Sequence, residues 1–135
     1  MKILITGFTG FVSQHFLTLL NEIEPGSIVL GIDKNEPDFN FSTFSELNIS
    51  FENIDLLNKE ATEKILTDFN PDYILHLASV SSVAQSWQAP LESFVNNTTI
   101  FLNLVELVRI SNNNCRILSV GSSEEYGDVA ENDLP

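Results

Sequence analysis

The sequence predicts an α/β domain built on a doubly wound parallel sheet. Three observations predict it. Short apolar runs alternate with helical patterns between Lys2 and Val120. The first run, Lys2-Ile3-Leu4-Ile5-Thr6, passes straight into a turn with glycines three apart, Gly7 and Gly10, and a helical pattern follows at once. The second run closes on an acid, Asp33, 23 residues beyond Gly10. Strands alternating with helices imply a parallel sheet with helices on both faces. Right-handed crossovers limit the strand order, and 3-2-1-4-5 is expected. A ligand then belongs at the carboxyl ends of the first and fourth strands, where the order reverses.

The elements follow in turn. Lys2 to Thr6 is a short buried strand. Phe11 to Ile23 is a helix whose Phe11, Phe16, Leu19, Leu20 and Ile23 fall near a 3.6-residue period, and Pro25-Gly26 stops it. Ser27 to Asp33 is the second strand. Lys34 to Leu47 is a polar stretch spotted with phenylalanine that the pattern leaves unassigned. Ile49 to Ile54 is the third strand, and Asn58 to Asp68 is a helix that ends ahead of Pro71. Asp72 to Leu77 is the fourth strand. Pro90 suits the first turn of the longest helix, Pro90 to Ser111, and Cys115 to Val120 is the fifth strand. No repeat, linker or low-complexity tract interrupts the run, so residues 1–135 read as one domain.

Composition narrows the classes. The chain is 43% hydrophobic and carries a formal charge of −13. A surface of that sign repels nucleic acid and anionic membrane, so neither is expected as a partner. An anionic ligand must be held by local devices against the global field. No signal peptide or membrane-spanning run is read, and the single Cys115 is expected as a buried thiol in a reducing cytosol. His15 and His76 are isolated and no Cys/His cluster has ligand spacing, so no metal is expected.

Candidate chemistry gathers at the ends of strands. Gly7, Thr9, Gly10, Phe11 and Val12 form a turn whose backbone N–H groups can approach a pyrophosphate, with the dipole of the next helix behind them. Asp33 can accept hydrogen bonds from an adenosine ribose and would repel a 2′-phosphate, which favours NAD(H), although Lys34 offsets part of that repulsion and leaves NADP(H) possible; otherwise Asp33 starts a turn. Asp55-Leu56 either meets an adenine amino group or caps the helix at Asn58. Leu77, Ala78 and Ser79 let a cofactor lie against the backbone, and His76 is read as a core histidine. Ser81, Val83 and their neighbours Ser82 and Ser86 either meet a substrate or make turns and caps. Val120 and then Ser122, Ser123 and Glu124 close the fifth strand. Two hydroxyls and a carboxylate beside the expected cleft are candidates for holding a reacting oxygen and for acid–base work; otherwise the segment is a structural turn.

Together, Thr6-Gly7-Phe8-Thr9-Gly10-Phe11-Val12-Ser13, Asp33, Asp55-Leu56, His76-Leu77-Ala78-Ser79 and Gly121-Ser122-Ser123-Glu124-Glu125-Tyr126-Gly127 resemble the extended short-chain dehydrogenase/reductase superfamily, in its NAD-dependent nucleotide-sugar epimerase/dehydratase branch. Pro71 to Ala78, Ser81-Ser82-Val83, Ser86-Trp87 and the Gly-Ser-Ser-Glu-Glu-Tyr-Gly segment are most similar to the GDP-mannose 4,6-dehydratase and GDP-6-deoxy-4-keto-mannose reductase group. The resemblance implies a Rossmann-type fold and a cytoplasmic enzyme that dimerises at full length. It implies NAD(P)-dependent hydride transfer at C4 of a nucleotide sugar, with a GDP-sugar favoured. Reduction of a 4-keto-6-deoxy sugar is the first expectation, and 4,6-dehydration, 4-epimerisation or non-catalytic dinucleotide binding are alternatives. Ser122 matches the family's catalytic Ser/Thr, Glu124 the acid/base glutamate of the dehydratases, and Asn97 a cofactor-side asparagine. Ser13 stands where the motif has its third glycine. A Tyr-x-x-x-Lys pair is expected 20 to 30 residues beyond the Ser-Ser-Glu segment, so this chain is read as an N-terminal fragment, inactive alone.

Overall fold

Five short parallel strands make a single sheet in the computed structural model, which describes residues 1–111, 114–122 and 127. They are β1 (Lys2–Thr6), β2 (Ile28–Asp33), β3 (Asn48–Asn53), β4 (Tyr73–His76) and β5 (Arg116–Ser119). Their order is β3-β2-β1-β4-β5, as the sequence predicts. Thr6 pairs with Ile32 on one side and His76 on the other, so the carboxyl ends of three strands lie level.

The helices are α1 (Phe11–Ile23), α2 (Lys59–Phe69), α3 (Val83–Gln88) and α4 (Pro90–Ile110). Alternate residues of the central strands feed two cores. Ile3, Ile5, Val29 and Leu75 pack with Leu17 and Leu20 of α1. Leu4, Leu30, Ile32 and Ile74 pack with Ile65 and Leu66 of α2 and with Ile100, Leu104 and Leu107 of α4. Both faces of β1 and β2 are therefore buried, which is why they read as unbroken apolar runs. Edge strand β3 alternates instead, and edge strand β5 leaves Leu118 64% exposed.

The structure corrects several expectations. The buried stripe of α1 is Ser13, Leu17 and Leu20; Phe11, Leu19 and Ile23 face outward and Phe16 is half-buried. The stripe is set by where the glycine turn delivers the helix onto the sheet, and that turn puts Ser13, Leu17 and Leu20 inside. The unassigned stretch folds as a phenylalanine cluster. Phe39 and Phe41 pack with Phe51 around the fully buried Phe8, and a 3-10 turn over Phe41–Thr43, capped by Asn40, carries Phe44 into the same core. The loop after β4 contains α3, with Ser82 Oγ accepting from the Gln85 N–H as its cap. Cys115 is half-buried, because β5 is an edge. Burial raises its thiol above the ordinary range, and the charge of Asp72 adds to that.

Candidate dinucleotide cleft

The glycine turn is built from both sides. Gly7 has φ +68°, and a Cβ there would stand 2.7 Å from the Ala78 nitrogen, so the turn closes on the end of β4 only with glycine. Phe8 anchors it from beneath: its N–H donates to the Ile32 carbonyl at 3.3 Å, and its ring lies against Gly31 of β2, where any Cβ would run into it. The Gly10 N–H then donates to the Gly7 carbonyl, and α1 begins with Gly10 as a cap that offers no side-chain acceptor. The first-turn N–H groups of α1 are thus left to face the crevice, the usual makings of an anion site.

A cleft of about 530 Å³ opens there, at the reversal of strand order. Fourteen sequence candidates come together along it. Gly7, Thr9, Gly10, Phe11 and Val12 form its floor; Asp33, Lys34, Asp55 and Leu56 line the end toward β2 and β3. Leu77, Ala78, Ser79, Ser81 and Val120 line the end toward β4 and β5. Lys34 is the one cationic side chain among the described lining residues, against the two carboxylates. Asp33 is held firmly. Its Oδ2 accepts from the Thr9 hydroxyl at 2.9 Å and the Thr9 N–H at 3.2 Å, and its Oδ1 accepts from the Asn35 N–H at 3.1 Å. Asp55 accepts from the Leu57 N–H at 2.9 Å, while Asn58 itself caps α2 through the Ala61 N–H.

Other candidates fall elsewhere. Asn97 braces the loop: its Oδ1 accepts from the Val80 N–H at 2.7 Å and its Nδ2 donates to the Val80 carbonyl at 3.2 Å. The cleft is lined instead by Asn96 beside it and by Ile100. Val83, on α3, is 63% exposed and outside the cleft lining. Ser122 is exposed, just beyond the cleft residue Gly121. Ser123 and Glu124 lie outside the described residues. Ser13, Ile32, Asn35, Ile54, Val80, Asn96, Ile100 and Gly121 also line the cleft, and none of them is a site residue expected from the sequence. Most of these adjoin a predicted strand end, and that proximity is a signal; Asn96 and Ile100 require knowing how α4 packs.

The set of groups fits a dinucleotide. It offers uncapped helix N–H groups for a pyrophosphate, fixed carboxylate acceptors toward the β2 end, and apolar walls between. His76 is not part of it: it is buried, its Nδ1 lies 2.7 Å from Thr6 Oγ1, and burial holds its pKa below the ordinary value. Among the described residues no three His, Cys, Asp or Glu side chains gather as a metal site, and no helix is long and apolar enough to cross a membrane.

Comparison with known proteins agrees with this geometry. The model of the NAD dependent epimerase/dehydratase family matches residues 3–135. The chain is 31% identical over 133 residues to CDP-paratose 2-epimerase of Salmonella typhi, a match covering 97% of the chain and 39% of that protein. It is 28% identical over 145 residues to dTDP-glucose 4,6-dehydratase of Salmonella typhimurium, covering 98% and 40%. Among solved structures, UDP-glucose 4-epimerase of Thermus thermophilus in complex with NAD superposes with a TM-score of 0.77 at 26% identity, covering 100% of this chain and 42% of that one. The chain therefore spans about 40% of the length of these relatives. A glycine turn at the switch point, an acid at the end of β2 and a family match over nearly every residue lead to one conclusion: the chain belongs to the NAD dependent epimerase/dehydratase family.

Proposed function

We propose that this chain is the dinucleotide-holding part of an enzyme that carries out hydride chemistry on a nucleotide sugar, and that it takes NAD(H) in preference to NADP(H). The observation that carries the reading is the cleft: an uncapped helix N-terminus at the switch point, with Asp33 locked beside it by Thr9. The N–H groups of α1 hold the pyrophosphate, the lone pairs left on Asp33 accept from the adenosine ribose, and Asp55 meets the adenine amino group. A 2′-phosphate would crowd the Asp33 carboxylate, with Lys34 alone to offset it. Leu77, Ala78, Ser79 and Val120 give the nicotinamide half a mostly apolar surface. When bound, the nicotinamide supplies the hydride acceptor and donor.

On the sugar side, the relatives named above support epimerisation or 4,6-dehydration of a nucleotide sugar. The Gly-Ser-Ser-Glu-Glu-Tyr-Gly wording supports a second reading, reduction of a 4-keto-6-deoxy sugar attached to GDP. In both, Ser122 and Ser123 are the hydroxyls that hold the reacting oxygen and Glu124 is the acid–base group, with Ser81 and Val83 on the substrate side. A homodimer at full length belongs to the same proposal.

Calorimetry on the chain tests the cofactor part. NAD⁺ is expected to bind more tightly than NADP⁺, and Asp33→Ala to narrow the gap. No heat with NAD⁺, or tighter binding of NADP⁺, would overturn it. For the sugar, the whole protein containing this chain is incubated with UDP-glucose or GDP-mannose plus NAD⁺, and with a GDP-4-keto-6-deoxy sugar plus NADH. Product identity by NMR separates epimerase, dehydratase and reductase, and turnover of none sinks the assignment to these nucleotide sugars.

A further inference from the structure

Ser13 is the one buried side-chain hydroxyl without a hydrogen-bond partner among the described residues. The residue is fully buried, lies in the first turn of α1 and lines the cleft. Three helix threonines settle their protons on the carbonyl one turn back: Thr18 on Gln14 at 3.0 Å, Thr62 on Asn58 at 2.9 Å and Thr67 on Glu63 at 2.8 Å. Ser13 makes no such bond. An unpaired buried hydroxyl opposes folding, and glycine or alanine in its place would avoid the penalty.

We propose that Ser13 is an additional dinucleotide-holding residue, whose hydroxyl donates a hydrogen bond to the pyrophosphate, directly or through one water. The inference rests on the dinucleotide reading above. Two independent features converge on one charge: the uncapped first-turn N–H groups of α1 and a donor with nothing else to meet. Ser13 itself lines the cleft, so its side chain borders the space a pyrophosphate would fill. A bond from a neutral donor to an anion is charge-assisted and stronger than an ordinary one. The competing account treats serine as only a small residue allowing α1 to sit close on β1; glycine would then serve at least as well.

The test compares Ser13→Ala and Ser13→Gly with the parent chain, using NAD⁺, ADP-ribose and adenosine as ligands in calorimetry, and the melting temperature without ligand. Both variants are expected to bind NAD⁺ and ADP-ribose about tenfold more weakly, in the range of one charge-assisted bond. Adenosine, which lacks phosphate, is expected to bind parent and variants alike, and Ser13→Ala without ligand to melt at or above the parent. Undiminished binding of NAD⁺ and ADP-ribose by both variants, or tighter binding by Ser13→Gly, overturns the role of Ser13 while leaving the dinucleotide reading intact. A parent chain that binds neither NAD⁺ nor ADP-ribose defeats that reading, and the proposal with it. Because Ala and Gly differ in backbone freedom but share the lost hydroxyl, a folding defect confined to one leaves the other to decide.

Discussion

Thr6 and His76 face each other across the β1–β4 pair, and between them they make a polar side chain tolerable inside a parallel strand. The Ala78 N–H donates to Thr6 Oγ1 at 3.2 Å, so this one hydroxyl ties the imidazole to the loop that lines the cleft. His76 stacks obliquely on Phe101 of α4, and burial pushes its pKa down. The consequence for stability has a definite sign. Above the ordinary value of about 6.5 both the folded and the unfolded chain hold His76 neutral, and its titration contributes no pH dependence. As pH falls through that value toward the lower folded one, the unfolded chain takes a proton that the folded chain refuses. Stability is therefore lost on the acid side, by about 1.4 kcal/mol for each unit of depression. Urea midpoints at pH 7.5 and pH 5 are expected to fall further for the parent than for His76→Gln, in which this group no longer titrates. Equal falls in the two proteins would rule the histidine out as their cause.

Between β4 and α4 the chain must turn over the cleft mouth, and Asn97 holds that turn. Its amide pairs with both backbone groups of Val80, as a strand neighbour would, and Val80 with Ser79 and Ser81 lines the cleft. Asn97→Ala leaves an N–H and a carbonyl without their partner and is expected to cost about 1–3 kcal/mol in urea unfolding. It should also weaken NAD⁺ binding in calorimetry without moving the preference over NADP⁺, because Asp33 is untouched. A stable variant with parental affinity would show that the loop holds itself. Asn97 also marks the limit of what the sequence discloses. Strands β1, β2 and β4 are legible because a strand buried on both faces is apolar along most of its length, and the glycine turn is legible because Gly7 needs both its φ and its missing Cβ. The function of an asparagine in mid-helix depends on which loop comes to lie against it, and no local pattern encodes that. The stripe of α1 fails for the same reason: its period admits more than one face, and the turn chooses Ser13, Leu17 and Leu20. The phenylalanines from Phe39 to Phe44 have no period of their own because they are organised around Phe8, thirty-odd residues away.

Across the whole molecule, nineteen acids against six lysines and arginines set a field that opposes both folding and the binding of an anion. The two described ion pairs do little against it, since Lys64–Asp68 and Glu106–Arg109 are exposed neighbours on single helices. Pairing does raise the Lys64 and Arg109 pKa values and lower that of Glu106, but solvent screens these contacts. Salt should therefore act in two ways. Raising ionic strength from about 0.01 M to about 0.15 M shortens the screening length from about 30 Å to about 8 Å. Self-repulsion between carboxylates spread over the surface is then largely removed, and the melting temperature is expected to rise by a few degrees. The attraction at the N-terminus of α1 works over a few ångströms inside a cleft and is screened much less. An anionic dinucleotide approaching from outside feels the long-range repulsion first and the short-range attraction last. Its association rate is expected to rise a few-fold with salt in stopped-flow fluorescence with NADH, while its dissociation rate changes little. An association rate that falls with salt would mean that the cleft presents a positive potential to the solvent despite Asp33 and Asp55, and that the local device governs the approach as well as the seat.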